Sequence, residues 1–340
     1  MEKKIRIGHI GTKHDHSSAK LDCVQKFPDL YEVVGIVEED DAWWEKVKNT
    51  PCYTKVPRMT EEQLFNAGCD AIMVEGFELD LPAVGKRCIE NGIHIHMDKP
   101  AGDDLDTFTE TLRIAKQKNL AVQLAYMYRY NVAVQDCLQL IREGKMGEIH
   151  SVTAVMNTLH SPEKRAWLGN FRAGDMFYLG CHMIDLIHLI QGVPETITPY
   201  LTCSGFDGVN AIDEGTVILQ YAKGISVAQA NSTEVNGYGR RQLVVCGTQG
   251  TYEIYPLENP MHTKYTDISF HTTYGDRHVD RGFHPDYPGG IRYDAMMLEF
   301  ARIVRGEIEN PYSYEFELDT QRMVLASCGY PVDFKTPVSL

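Results

Sequence analysis

Gly11 closes the apolar run Ile5-Arg6-Ile7-Gly8-His9-Ile10, and Thr12-Lys13-His14-Asp15-His16 then leads into a helical stretch from about His16 to Phe27. Strand, glycine turn and helix start, in that order, are the parts of a pyrophosphate-binding turn. Backbone N–H groups there lack intrahelical partners and carry partial positive charge. Of the Gly-x-Gly-x-x-Gly fingerprint only the first glycine remains, because Lys13 and His16 occupy the other two positions. A lysine brings charge to a phosphate, yet its Cβ obstructs the close backbone approach that glycine permits. The turn by itself fits a nucleotide loop and an ordinary βα connection equally. Glu38 follows the run Val33-Val34-Gly35-Ile36-Val37, where a carboxylate can accept hydrogen bonds from both ribose hydroxyls of NAD and repel the 2′-phosphate of NADP. Of the three consecutive acids Glu38, Glu39 and Asp40, one reads as a ligand and two as solvated ends.

His14, Asp15 and His16, together with His94 and His96, are residue types that ligate divalent metals. They also suit the polar lining of a crevice, since two flank the turn and two alternate along a strand. The expectation is no bound metal. Nine cysteines without a Cys-x-x-Cys pair, among them Cys88, Cys137 and Cys246 in apolar runs, read as buried free thiols.

These groups need a frame. The runs at 5–10, 33–37, Ala71-Ile72-Met73-Val74, Ile93-His94-Ile95-His96-Met97 and Ala121-Val122-Gln123-Leu124-Ala125 are short enough for buried parallel strands. Helical spacing over Pro82 to Asn91, closed by Gly92, and over Leu105 to Lys118 supplies crossovers. Alternating strands and helices predict a doubly wound Rossmann sheet with its crevice at the carboxyl ends of the strands. Beyond about residue 150 the runs lengthen. Thr216–Tyr221 and Gly224–Ala230, joined by Ala222-Lys223, predict a hairpin, and Arg241–Val245 and Gly250–Tyr255 extend it into a largely antiparallel sheet. A helix near Tyr293 to Arg305 is expected to return to the first domain, and Gly282 to Gly290 to form a loop bordering the site. The expected domains are residues 1–125 and 126–340, an α/β fold with a C-terminal α+β domain.

The 340 residues carry 43% apolar and 24% charged side chains and a formal charge of −14. That balance suits a globular chain and disfavours nucleic acid or anionic membrane as a bulk partner. No run reaches the roughly 18 apolar residues of a membrane span, and the start MEKKIRIGHIG has no apolar stretch of signal length. A cytoplasmic protein is expected.

Three segments carry a specific resemblance. His96-Met97-Asp98-Lys99-Pro100 resembles the Glu-Lys-Pro motif of the Gfo/Idh/MocA oxidoreductases, a family of sugar and inositol dehydrogenases. Ala125-Tyr126-Met127-Tyr128-Arg129-Tyr130-Asn131 resembles the segment crossing between that family's domains, and Gly180-Cys181-His182-Met183-Ile184-Asp185 its Gly-x-His-x-x-Asp helix. The resemblance implies that Lys99 lies between nicotinamide and a substrate hydroxyl and that His182 takes the proton. Oxidising a secondary alcohol needs such a base and a cation that lowers the alcohol's pKa. Asp185, one helical turn beyond His182, would bind a substrate hydroxyl or orient the histidine. Gly11, Thr12, Lys13, His14, Glu38, Gly76, Asp98 and Lys99 are the expected cofactor contacts. Tyr128, Arg129, Arg165, Trp167 and His182 are the expected substrate contacts, with Arg165 and Trp167 placed in a loop before the His182 helix.

The departures are equally specific. Tyr178 stands where the family carries an aspartate four residues before the histidine, and is the candidate alternative acid. Gly76-Phe77-Glu78, with Leu81 at the histidine position, replaces the Thr-Pro-Asn segment, and Asp98 replaces glutamate. An NAD(P)-dependent oxidoreductase acting on a sugar, sugar derivative or cyclitol, assembled as a homodimer or homotetramer, is the first reading. A sugar lyase or hydrolase that oxidises transiently with retained NAD, and a non-catalytic nucleotide or sugar sensor, are the alternatives.

Overall fold

Five short runs of buried, mostly apolar residues pair as a parallel sheet: β1 (Ile5–Ile10), β2 (Tyr31–Val37), β3 (Ala71–Val74), β4 (His94–Met97) and β5 (Val122–Leu124). The computed structural model describes residues 3–258, 266–273, 275–281 and 291–340. The strand order β2-β1-β3-β4-β5 reverses direction at β1 and β3, which opens a crevice at the carboxyl ends of those strands. Helices α1 (Ser17–Gln25), α2 (Asp41–Val47), α3 (Glu61–Asn66), α4 (Leu81–Glu90) and α5 (Leu105–Lys118) make the crossovers. Local chemistry fixes their ends. Asp40 accepts the Trp43 N–H, Thr60 and Gln63 form a reciprocal capping box, and Asp104 accepts the Thr107 N–H. The sequence did not announce α2 and α3, which are short and carry few buried side chains.

The chain divides into two compact units, Met1–Met127 with Tyr287–Leu318 and Val338–Leu340, and Tyr128–Asp286 with Asp319–Pro337. In the second, helix α6 (Val132–Arg142), capped by Asn131, precedes a sheet of eight strands. These are β6 (Ile149–Val155), β7 (Thr196–Thr202), β8 (Glu214–Tyr221), β9 (Gly224–Asn231), β10 (Gln242–Gly247), β11 (Gly250–Tyr255), β12 (Thr266–Thr272) and β13 (Gly275–Arg281). Their order is β13-β12-β11-β10-β6-β9-β8-β7, and every pairing is antiparallel except β6 with β9. Both the parallel sheet and the largely antiparallel one accord with the fold class read from the sequence. Between β6 and β7 lie α7 (Pro162–Leu168), α8 (Asp175–Tyr178) and α9 (Gly180–Gln191), and α9, buried from Gly180 through His188, packs on β6 and β9. Helix α10 (Ile291–Val304) packs on α1 within the first unit, and α11 (Tyr314–Ser327) follows. The Gly282 to Gly290 segment lies outside the described residues. No described helix is long and apolar enough to cross a membrane.

The cysteines are free, but not uniformly buried: Cys203 is exposed, and Cys69 and Cys246 are half-buried. For Cys246 the expectation of burial fails because its strand alternates and this side chain falls on the more open face.

Parallel register aligns His9, Met73, His96 and Gln123 across four strands. That row meets α10, where Phe300 packs on the His96 ring at 5.7 Å and Gln123 donates to the Met296 carbonyl at 3.3 Å. His9 joins Ser17 at 2.8 Å and His96 joins Gln123 at 2.8 Å, so each ring has one polar contact in an otherwise sealed layer. Burial first, and then the Lys20 charge, pushes both imidazoles down to about 3. His188 on α9 is pushed to about 3 by burial and by Arg129. In the unfolded chain these groups protonate near 6.5, so the unfolded state gains protons first as pH falls. Their contribution to stability is intact above pH 6.5 and is lost between 6.5 and about 3. Each should remove about 2 kcal/mol between pH 7 and pH 5. Urea midpoints measured at the two pH values should drop accordingly, and His96→Gln should flatten the dependence. A midpoint indifferent to pH over this interval would contradict the burial of neutral rings.

Candidate active site

Gly11 turns with φ of +87°, and a Cβ there would lie 2.5 Å from the Gly76 backbone, so glycine is required for the two loops to pass. The Thr12 N–H and hydroxyl both donate to Glu38 Oε2, at 3.0 and 2.6 Å, while the Asp40 N–H donates to Oε1 at 3.0 Å. Glu38 is thereby held, nearly buried, at the end of β2 with acceptor capacity left over. It lines a cleft of about 390 Å³ with Gly11, Lys13, Gly76, Phe77 and Arg87. A Cβ on Gly76 would meet nothing within 4 Å, which leaves that side of the cleft open. Lys13 pairs with Asp40 at 2.9 Å on the surface.

At the end of β4 the side chains are enclosed. Asp98 and Lys99 are fully buried, and Asp98 Oδ1 accepts the Lys99 N–H at 2.7 Å. Asp98 Oδ2 receives Lys20 Nζ at 2.5 Å and faces His14 Nδ1 at 2.9 Å and His16 Nδ1 at 3.5 Å. Lys20 also reaches Glu75 Oε1 at 2.9 Å. Burial pushes Asp98 up, but His14, Lys20 and His16 outweigh it and hold the carboxyl well below its usual range. Glu75 is driven well above its usual value, by burial and by the Asp98 charge, against the pull of Lys20. Burial lowers the His14 and His16 imidazoles despite Asp98.

The sequence reading missed Lys20 and Glu75. A signal existed for the first, because Ser17, Lys20, Leu21 and Val24 share one buried face of α1, where a lysine needs a partner. The grouping of four histidines is corrected. His94 sits at the opposite, amino end of β4, where Nδ1 accepts the Ala121 N–H at 2.8 Å, and His96 belongs to the row beneath α10. Only His14 and His16 come together.

In the second unit His182 is buried on α9, with the edge of its ring toward Tyr128 at 5.1 Å. Arg129 grips Asp185 in a fork, Nε and Nη2 reaching Oδ1 at 3.0 and 2.7 Å and Nε reaching Oδ2 at 3.2 Å. Tyr128 donates to Glu258 Oε2 at 2.5 Å, and Arg241 donates to the same oxygen at 3.1 Å and to Thr158 at 2.7 Å. Arg165 and Trp167 lie on α7, not in a loop: Ser161 and Pro162 start a helix that the short interval concealed. Arg165 is buried against Asp213 at 3.0 Å and also pairs with Asp207. Trp167 packs edge-on to Phe171 and Tyr178, with the Lys164 ammonium 3.7 Å from its ring centre. Tyr178 is buried in this aromatic cluster.

Asp175 went unremarked in the sequence. It is buried at the start of α8, and neither carboxylate oxygen has a hydrogen-bond donor among the described residues; His160 Nε2 stands 3.7 Å away. The only cue is its place after Gly174, whose φ of +52° and approach to the Ile212 carbonyl admit no Cβ.

Comparisons with known proteins agree with this fold. Residues 134–253 match the model of the GFO/IDH/MocA C-terminal domain. The 2,7-anhydro-N-acetylneuraminate hydratase of Escherichia coli (strain K12) is 23% identical over 174 residues, which are 49% of this chain and 46% of that protein. The match thus spans about half the length of that curated relative. KijD10, a 3-ketoreductase from Actinomadura kijaniata solved with NADP and TDP-benzene, superposes with a TM-score of 0.77 at 17% identity, over 95% of this chain and 97% of its own. An oxidoreductase from Agrobacterium radiobacter, solved with NAD+, L-tartaric acid and magnesium, superposes with a TM-score of 0.79 at 14% identity, over 96% and 97%.

Removing one member of the Arg129–Asp185 fork should leave the other's buried charge without its principal counterion. Asp185→Ala is expected to cost about 3–5 kcal/mol, read as a fall in the urea midpoint, whereas Arg129→Met with Asp185→Leu should recover most of the loss. A neutral Asp185→Ala would mean that water reaches Arg129.

Proposed function

We propose that this chain, whose residues 134–253 match the GFO/IDH/MocA C-terminal domain and follow a Rossmann-type parallel sheet, is an NAD-dependent oxidoreductase of the Gfo/Idh/MocA type moving a hydride between nicotinamide and a secondary hydroxyl of a sugar, sugar derivative or cyclitol. One observation carries most weight: Gly11, Glu38 and Lys99 follow β1, β2 and β4, so all three stand at the carboxyl edge of one parallel sheet. The cleft beside Gly11, Glu38 and Gly76 fits the adenosine end of a dinucleotide. Glu38 would accept from the ribose hydroxyls and oppose a 2′-phosphate, which favours NAD over NADP. Arg58 does not reverse that preference, since its guanidinium is held by the Glu38 carbonyl at 2.9 Å and by Asp41 at 2.6 Å.

When bound, nicotinamide supplies the acceptor or donor of the hydride. The protein's part is proton and charge management. The Lys99 ammonium lowers the pKa of the reacting hydroxyl, and His182 receives its proton. Arg129 and Asp185 neutralise each other and keep α9, with His182 on it, in register. Asp175, buried without a donor, is the acceptor for a further substrate hydroxyl, a task the Tyr178 phenol performs poorly. Assembly as a homodimer or homotetramer through the β7–β9 end of the larger sheet, where Tyr200 and Ile225 are exposed, and work in the cytoplasm belong to the same reading.

A second reading has its own support in the hydratase relative and in Tyr178: transient oxidation, elimination or addition beside the new carbonyl, and return of the hydride. Net NADH release during turnover separates the two.

Titration with NAD+, NADH, NADP+ and NADPH, followed by heat or nicotinamide fluorescence, should show binding of the NAD pair at least tenfold tighter, and Glu38→Ala should narrow the gap. Lys99→Ala or His182→Ala should cost about 10²–10⁴ in kcat with nucleotide binding retained in the latter. Failure of all four nucleotides to bind sinks the proposal.

A further inference from the structure

We propose that His14, His16 and Asp98 form a binding site for one divalent transition-metal ion of the zinc type. The Gly11–His16 turn delivers two imidazoles to the end of β4, and one ligand atom from each of the three residues lies within 4.8 Å of the others. The distances from Asp98 Oδ2 are 2.9 Å to His14 Nδ1 and 3.5 Å to His16 Nδ1. Ligand bonds of about 2.0–2.2 Å at tetrahedral angles set neighbouring ligand atoms roughly 3.3 Å apart; both Asp98 distances are near that value, and the two imidazoles, whose ligand atoms lie no more than 4.8 Å apart, close on an ion by turning toward each other.

Protonation favours the same conclusion. The His16 backbone N–H donates to His14 Nδ1 at 3.1 Å, which makes that nitrogen an acceptor. It nevertheless faces Asp98 Oδ2 at 2.9 Å, and an ion between the two acceptors would satisfy both. On its other side His14 Nε2 stands 3.3 Å from Glu78 Oε1, with both side chains buried and no hydrogen bond between these two atoms. A small turn of the ring onto an ion would align Nε2 with that carboxylate, the arrangement that fixes the tautomer of a metal-ligating histidine. His16 Nδ1 is buried and has no hydrogen bond among the described residues.

Lys20 supplies one positive charge to Asp98 Oδ2 and is the obvious competitor. It holds a second carboxylate, Glu75, at 2.9 Å, and keeps that partner when an ion takes up Asp98. Three protein ligands of the N₂O type leave a coordination position for water.

The test strips the full chain with chelator and titrates it with Zn²⁺ by calorimetry and with Co²⁺ by visible absorption. One equivalent should bind, and Co²⁺ should give d–d bands without the near-ultraviolet thiolate band that any of the nine cysteines would produce. His16→Ala, the more exposed ligand, should weaken Zn²⁺ at least tenfold, and Glu78→Gln by about 10–100-fold. Circular dichroism establishes that each variant is folded, and His16→Asn replaces any that is not. No saturable binding, a thiolate band, or parental affinity in the folded His16 variant would each overturn the site.

Discussion

Lys20 is an ammonium with no access to water, and the first unit is arranged around satisfying it. Its two carboxylate partners come from the ends of β3 and β4, so the helix that starts at the nucleotide turn is tied to the strands carrying Glu75 and Lys99. Burying such a charge costs several kcal/mol unless its partners are well placed. The close passage of Gly11 over the Gly76 backbone makes that placement possible, because a side chain at Gly11 would force the two loops apart. The same network gives adjacent carboxyls opposite characters: Asp98 stays ionised among three nitrogen groups while Glu75, facing Asp98, is driven toward its neutral form.

The second unit solves an equivalent problem with a fork in place of a point charge. Arg129 and Asp185 are both sealed, and planar two-point pairing restricts how α9 can rotate. His182 lies one turn from Asp185 on that helix, so the fork sets the direction of the imidazole without touching it. Tyr128, beside Arg129 in sequence, closes against the His182 ring and is itself held by Glu258 and Arg241. Two neighbouring residues of the 127–131 segment therefore hold one face of the helix at successive turns.

What the sequence disclosed follows the range of the interactions. Strands and crossovers were legible because apolar period and helix stops are local, and β1 to β5 fall where those runs lie. The end of β4 and the α9 histidine were legible because their motifs are contiguous. Lys20 with Glu75, Arg241 with Glu258, and His160 with Asp175 were not, since each pair joins residues 15 to 55 apart that share no local pattern. The four histidines misled for the same reason. On β4 His94 and His96 share a face but stand at different heights, the first at the amino end, and spacing alone could not relate either to a turn some eighty residues earlier. Short helices such as α7 were lost because four apolar-poor residues after a Ser-Pro carry no period.

The histidines in the turn also bear on how an ion and a nucleotide would coexist. Asp98 is the third ligand of the proposed ion and the residue that accepts the Lys99 N–H, and Lys99 is the cation of the proposed hydride transfer. Thr12, two residues before His14, is bound to Glu38, the proposed ribose acceptor. An ion drawing Asp98 Oδ2 and His14 together acts on both ends of this short stretch, because the chain from Thr12 to His16 cannot lengthen. Linkage then requires that any change in nucleotide affinity caused by the ion be matched by an equal change in ion affinity caused by the nucleotide. A turn that keeps one glycine and replaces two by Lys13 and His16 gives up the closest backbone approach to a pyrophosphate. It gains side chains through which the phosphate end and the reacting end of a bound dinucleotide share one charge balance.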